Sequence, residues 1–328
     1  MSRIKTPKIV EKDFFYDYED FRFGTPKEVA EYRAKRLSCS RLIEIGAGVG
    51  FQTVAFAKTC KEVVAIEIDE RRVKLLQANI VKKGLKNVKV IRGDALDEKV
   101  IADAGKADFV FVDTERPEAE KERTIEAIVP SVKGILDKYT AISKGMCIEV
   151  PPHLNVTLTC EKEYVSLAGK LNRLNLYFGK LKECERSVVS LPDGDRMEGN
   201  GKKMPETSES LAGAKYLYEI NPAVALAGLT GELSRGMKSV ISGKKEYLIS
   251  KQEVKNVFLT GYRIAAVCND DEASSKLKEI GCGKALIRYA VDPKDYWKER
   301  NIREKGLTGN NACHLFKFYD KIAVCILI

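Results

Sequence analysis

One heptapeptide constrains this chain more than anything else in it: Glu44-Ile45-Gly46-Ala47-Gly48-Val49-Gly50, set between an apolar strand and an apolar helix. Alternating glycines at such a junction permit backbone angles closed to other residues. They turn the chain tightly into the helix and leave room for a ligand against the main chain. Leu42-Ile43-Glu44-Ile45 supplies the strand and Phe51 to Thr59 the helix. The alternation then continues. Val63-Val64-Ala65-Ile66 is a second strand, Val88-Lys89-Val90-Ile91 a third and Phe109-Val110-Phe111-Val112 a fourth. Between the second and third, Glu70 to Gly84 reads as a helix with Val73, Leu76, Ile80 and Val81 on one face and Gly84 as its cap. Strands that are apolar without a break, separated by helices, predict a parallel sheet covered on both faces, the α/β class. Ile125 to Leu136 could be another helix, and Met146 to Val150 is a fifth strand stopped by Pro151-Pro152. Tyr164 to Leu167 and Ser187 to Ser190 add two more, for a seven-stranded, mostly parallel, Rossmann-like sheet with an antiparallel edge.

Three strand ends in phase define a ligand site. The glycine loop has the spacing GxGxG, preceded by an acid, Glu44. Dinucleotide sites use a helix N-terminus to hold a pyrophosphate. An acid here instead suits the cationic amino group of S-adenosylmethionine (SAM), with Gly46, Ala47, Gly48 and Gly50 clearing space for ribose and sulfonium. Glu67 closes the second strand and can accept from both ribose hydroxyls. Ile68 follows it on the same rim. The third strand leads to Gly93-Asp94-Ala95, where a carboxylate can accept from an adenine amino group. Asp69 reads as a helix cap rather than a second ribose ligand.

The 328 residues, 44% hydrophobic and 31% charged, suffice for two domains with real cores. Residues 1–38 read as an ordered, aromatic-rich arm and a lead-in helix from Lys27, with Thr25 as N-cap and Pro26 at the first helical position. Residues 39–191 form the SAM-binding domain. Residues 192–210, rich in Gly, Asp, Glu, Lys and Ser and lacking periodicity, read as a linker. Residues 211–328 mix short strands and helices into a smaller α+β domain. The start, Met1 to Glu11, lacks the apolar core of a signal peptide, and no run approaches the roughly 18 apolar residues of a spanning helix, so a cytoplasmic protein without membrane partners is expected. Nine irregularly spaced cysteines, without a CxxC pair, fit reduced thiols, and with His153 and His314 as the only histidines no metal site is expected. The net charge of +9 favours a polyanionic partner.

On these residues the chain resembles class I SAM-dependent methyltransferases. A narrower resemblance begins at Phe23-Gly24-Thr25-Pro26-Lys27-Glu28-Val29-Ala30-Glu31-Tyr32-Arg33-Ala34-Lys35-Arg36-Leu37, which looks like the lead-in helix of trimethylguanosine synthase and of methyltransferases with a C-terminal THUMP-like domain. Lys215-Tyr216-Leu217-Tyr218-Glu219-Ile220-Asn221-Pro222-Ala223-Val224 resembles the opening of that domain, and Lys284 to Pro293 its later strand and turn. Because THUMP domains bind RNA, the resemblance implies an enzyme acting on a base in tRNA or rRNA, with guanine N2 or another exocyclic amine as target.

Amino-directed methyltransferases end the fourth strand with Asp/Asn-Pro-Pro-aromatic, whereas this chain has Asp113-Thr114-Glu115-Arg116-Pro117. The THUMP-like group often has Asp-Pro-Ala-Arg there, so Asp113 and Arg116 match and Thr114 and Glu115 depart. Asp113 is the first candidate to accept from the substrate amine and also borders the cofactor. Arg116 could hold a phosphate or stack on a base, or form a surface ion pair. Glu115 is a candidate general base, and His153 either borders the pocket or is a packed or exposed histidine. Candidate RNA contacts are Lys5, Lys8, Arg33, Lys35 and Arg36, then Lys284, Arg288, Lys294, Lys298, Arg300, Arg303 and Lys305, with Tyr289, Tyr296 and Trp297 as stacking rings; a solvated basic face over core aromatics is the alternative. Two other functions stay open: a methyltransferase for a protein or small molecule, and a non-catalytic RNA-binding protein retaining the SAM fold.

Overall fold

A computed structural model describes residues 13–114 and 124–328. The chain divides into two compact units, residues 1–200 and 201–328. The first opens with helices α1 (Tyr18–Phe23) and α2 (Lys27–Arg36) and then alternates β1 (Arg41–Ile45), α3 (Phe51–Thr59), β2 (Glu62–Glu67), α4 (Glu70–Lys82), β3 (Val88–Arg92), α5 (Glu98–Ala104) and β4 (Phe109–Asp113). After α6 (Val132–Tyr139) come β5 (Gly145–Val150), β6 (Glu161–Leu167), β7 (Lys170–Gly179), β8 (Arg186–Leu191) and β9 (Asp195–Gly199). The strands form one sheet in the order β3-β2-β1-β4-β5-β7-β6-β8-β9. β1 pairs in parallel with both β2 and β4. The chain therefore winds outward in opposite directions from that pair, and a crevice opens at the carboxyl ends of β1 and β4, where such sheets bind ligands. β1, β2, β4 and β5 are buried along nearly their whole length, as continuous apolar runs require.

Among the described residues the sheet has nine strands rather than seven. Two strands, β7 and β9, have no expected counterpart, and β7 is antiparallel to both β5 and β6. Its sequence, KLNRLNLYFG, spaces leucines irregularly and hides the period of two. The turn into it is Ala168-Gly169, where both residues have positive φ, a two-residue hairpin reversal without the usual Asn-Gly or Asp-Gly signal. The expected linker at 192–210 also needs correcting. Pro192-Asp193-Gly194 is a tight turn closed by Gly194 N–H donating to the Ser190 carbonyl, and it feeds the edge strand β9. Over 192–199 the charged and glycine-rich composition marks an exposed edge strand and its turn. The helix expected at Ile125 to Leu136 begins only at Val132, beyond Pro130, which cannot occupy a helix interior. Thr25 is not the cap of α2: Pro26 takes that position, and Thr25 is buried.

The second unit continues with β10 (Glu206–Thr207), β11 (Tyr216–Ile220), α7 (Pro222–Ala227), α8 (Thr230–Ser234), β12 (Lys238–Ser242), β13 (Lys245–Ser250) and β14 (Leu259–Asn269). It ends with α9 (Ala273–Glu279), β15 (Cys282–Ile287), α10 (Tyr296–Glu304), β16 (Asn311–Phe318) and β17 (Lys321–Leu327). Its eight strands form a mixed sheet, β10-β12-β13-β11-β14-β17-β16-β15. One core gathers Tyr247, Tyr262, Phe316 and Phe318 edge to face. Another seats Ala273 and Leu277 of α9 on Cys313, Leu315 and Val324. Asn221 caps α7 by accepting from Ala223 N–H, with Pro222 at the first helical position.

Candidate cofactor and active site

The glycine loop leaves β1 at the mouth of the crevice. Gly46, Gly48 and Gly50 have φ of +76°, +55° and +98°, values that L side chains adopt only with strain. They do different work. A Cβ on Gly46 would lie 2.6 Å from the Asp113 carbonyl oxygen and one on Gly50 2.7 Å from Leu76 Cδ1, so these two permit close packing of the loop on β4 and α4. A Cβ on Gly48 would meet nothing within 4 Å. Gly48 therefore faces open space, the cradle a cofactor needs.

Glu44 is 1% exposed, and its Oε2 has no hydrogen-bond partner among the described residues. Burial pushes its carboxyl up to about 8, with help from the Asp113 and Glu67 charges, while Thr53 and the Arg33 guanidinium pull it part of the way back. A buried acid with an unsatisfied oxygen is the complement of an ammonium group arriving in the crevice. Glu67, at the end of β2, is also buried. Its Oε2 accepts from Gly48 N–H at 2.7 Å and its Oε1 from Asp69 N–H at 2.9 Å. The carboxylate is thus locked in orientation against the loop, with lone pairs left for a diol. Ile68 beside it is 65% exposed, an apolar side chain left open at the rim. Asp94 is exposed and accepts from Leu96 N–H, and Ala95 beside it is buried with its carbonyl held by the Tyr139 hydroxyl. Asp69 caps α4 by accepting from Arg72 N–H. The chemistry of these residues fits SAM: Glu44 would suit the amino group, Gly46 to Gly50 would clear space for the sulfonium and ribose, Glu67 would accept from the ribose hydroxyls, and Ile68, Asp94 and Ala95 would border the adenine.

Asp113 ends β4, paired in register with Glu149 of β5. Its neighbour Thr114 donates from its hydroxyl to the Glu149 carbonyl at 2.5 Å. Glu149 is held from below by Arg33 and, at 2.5 Å, by Arg173 Nε. Burial alone would raise the Glu149 carboxyl, but Arg173 and Arg33 hold it below its ordinary value. Glu115 and Arg116, and the candidate RNA contacts Lys5 and Lys8, lie outside the described residues. His153 is exposed.

Several cations expected to meet RNA turn inward. Arg33 is fully buried and binds Gln52, Glu149 and Asn175, with its guanidinium 4.4 Å from the Phe111 ring centroid. Arg36 pairs with Glu161 and Glu163 and stacks on Tyr177. In the second unit Arg303 is buried against Asp270 and Glu299, Arg300 pairs with Glu304, and Arg288 donates to His314 Nδ1. The Tyr289 hydroxyl is taken up by Glu299. Lys35, Lys284, Lys294, Lys298, Lys305 and Trp297 remain exposed. Sequence reasoning missed Asn79, whose side-chain amide donates to the Val49 carbonyl in the glycine loop and to the Phe15 carbonyl. A polar residue on the same helical face as Val73, Leu76 and Ile80 was its available signal.

The profile of the ribosomal RNA adenine dimethylase family matches residues 36–131, the segment containing the glycine loop, Glu67, Asp94 and Asp113. A ribosomal RNA small subunit methyltransferase A of Listeria monocytogenes is 45% identical over 67 residues, 20% of this chain and 22% of that protein. A protein-L-isoaspartate O-methyltransferase of Nitrobacter winogradskyi is 33% identical over 87 residues, 26% of this chain and 39% of that protein. The chain thus spans well under half the length of these curated relatives. The structure of a Porphyromonas gingivalis W83 protein assigned as a methyltransferase superposes with a TM-score of 0.74 at 14% identity, covering 95% of this chain and 82% of that one. The first unit has the α/β fold of class I methyltransferases. Among the described residues no helix is long and apolar enough to cross a membrane.

Proposed function

We propose that this chain is a SAM-dependent methyltransferase that modifies an exocyclic amine of a base in structured RNA, ribosomal RNA first. The observation that carries the reading is the convergence of Glu44, Glu67 and Asp113 on the glycine loop, within the segment matched by the ribosomal RNA adenine dimethylase profile. That profile favours adenine over guanine as the base. The basic chain supports a polyanionic substrate, and the second unit is read as an RNA-binding module resembling THUMP-like domains.

Bound SAM supplies an electrophilic methyl group. The chain's own residues orient the partner and shield the crevice. Asp113 accepts from the target amine, fixes its lone pair toward the crevice and takes the proton released as the nitrogen is alkylated. Thr114, anchored on the Glu149 carbonyl, holds the end of β4 so that this carboxylate is fixed before substrate arrives. Arg116 is assigned to a phosphate of the RNA and Glu115 to a secondary proton acceptor.

The test is transfer of labelled methyl from SAM to total RNA from a strain lacking the gene, with and without RNase, followed by nucleoside analysis. RNase-sensitive label in methylated adenosine is expected. The match to the isoaspartate enzyme favours a protein-directed alternative, and RNase-resistant label would replace the RNA reading with it.

A further inference from the structure

The fourth-strand segment lacks the aromatic that amino-directed enzymes use to stack the target base. Aromatics instead crowd the segment before α2, and the structure pins that segment onto the cofactor loop. Phe15 N–H donates to Asn79 Oδ1 at 2.7 Å, and Asn79 Nδ2 returns a bond to the Phe15 carbonyl while also holding the Val49 carbonyl. Phe14 packs on Phe51, the residue after Gly50, with ring centroids 4.8 Å apart. Asp17 and Asp20 form a reciprocal cap on α1, and Asp20 receives both terminal nitrogens of Arg71 at 2.9 and 3.0 Å.

A backbone fixed this firmly would be expected to bury its rings. It leaves four of them in solvent: Phe15, Tyr16, Tyr18 and Phe23 are 46, 42, 78 and 56% exposed. Exposed apolar surface on an ordered segment marks a binding face. Cations stand over two of these rings, Lys82 Nζ 4.3 Å from the Phe15 centroid and Arg22 Cζ 4.3 Å from that of Phe23. Rigid, exposed π-faces are the surface on which unpaired nucleobases stack.

We propose that this arm, through Tyr18 and Phe23 above all, is a stacking platform for unpaired bases of the RNA beside the modified nucleotide. The proposal rests on the RNA reading above. It assigns to the arm a role that the fourth-strand segment cannot fill.

The experiment compares wild type with Tyr18→Ala, Phe23→Ala, Tyr18→Phe and Phe23→Tyr. It measures binding of a short fluorescent single-stranded RNA and of its duplex, methyl transfer to RNA, and SAM affinity by calorimetry. Each alanine change should weaken single-strand binding roughly 5- to 150-fold, leave duplex binding and SAM affinity within about twofold, and be rescued by the aromatic replacement. Unchanged single-strand binding in both alanine variants overturns the platform while wild-type transfer to RNA keeps the RNA reading intact. A parallel loss of SAM affinity overturns it too, by showing the rings to be structural. Wild type that neither binds nor methylates RNA removes the RNA reading and the platform together.

Discussion

Replacing Arg33 by methionine separates two uses of a cation beneath an active site. Arg33 has no exposure, and its guanidinium serves Gln52, Glu149 and Asn175 at once. Methionine fills much of the volume but leaves Glu149 buried with one cation instead of two. Breaking a buried pair from one side costs about 3–5 kcal/mol, because the remaining charge stays desolvated. Arg173 still reaches Glu149 and is a quarter exposed, so the lower end, about 3 kcal/mol, is expected. For a unit of this size that is a fall in melting temperature of roughly 6–12 °C. Calorimetry and urea titration at pH 7 measure it. The double variant Arg33→Met/Glu149→Leu removes both charges, leaves Arg173 free to turn toward water, and should regain most of the loss, since apolar replacement of a whole buried pair is often neutral. A single-variant loss under about 1 kcal/mol, within the range of an exposed pair, would refute the reasoning. So would a double variant no more stable than the single one.

Three further outcomes follow from the same geometry. Glu44 has a folded value of about 8, above its ordinary range, so the ligand-free protein should lose stability as pH climbs from about 4.3 toward 8, with no further loss beyond. SAM affinity should run the other way, rising to a maximum near pH 8 with proton release seen by calorimetry in buffers of different ionisation enthalpy. Glu44→Gln should flatten both profiles, raise the melting temperature of the ligand-free protein at pH 8 and weaken SAM binding roughly ten- to a hundredfold; unaltered SAM affinity would remove Glu44 from the site. Gly48→Ala, whose new methyl meets only open space, should lose little more than about 1 kcal/mol of stability yet bind SAM poorly, whereas Gly46→Ala, clashing with the Asp113 carbonyl, should damage folding itself; equal melting temperatures for the two would contradict this division. Asp113→Ala should keep SAM affinity within a few-fold and lower labelled-methyl transfer by roughly 100- to 10,000-fold, and a fall of less than tenfold would move the substrate acceptor elsewhere.

The backbone frame of the candidate cofactor site was legible because its signals are local. Positive-φ glycines between a strand and a helix, acids closing consecutive strands and unbroken apolar runs state their roles within a few residues. The substrate half was less so. Lys35, Arg33 and Arg36 look alike on α2, and nothing within ten residues says that Arg33 and Arg36 will meet Glu149, Glu161 and Glu163 more than a hundred residues away. The aromatic arm was legible as ordered, but not as pinned to the glycine loop, because Asn79 makes that connection from a distant helix.

By itself, then, the chain's sequence determined the α/β class, the parallel strands around β1 and β4, and the tight backbone turn of the glycine loop, since each depends on backbone angles and apolar periods that neighbouring residues impose. Only the tertiary structure decided that nine strands make the sheet, that the charged stretch after Leu191 is an edge strand, and which basic side chains face water. Those outcomes turn on pairing between segments distant in sequence. There a charge is either neutralised by a buried partner or left to solvent, and composition is the same in both cases.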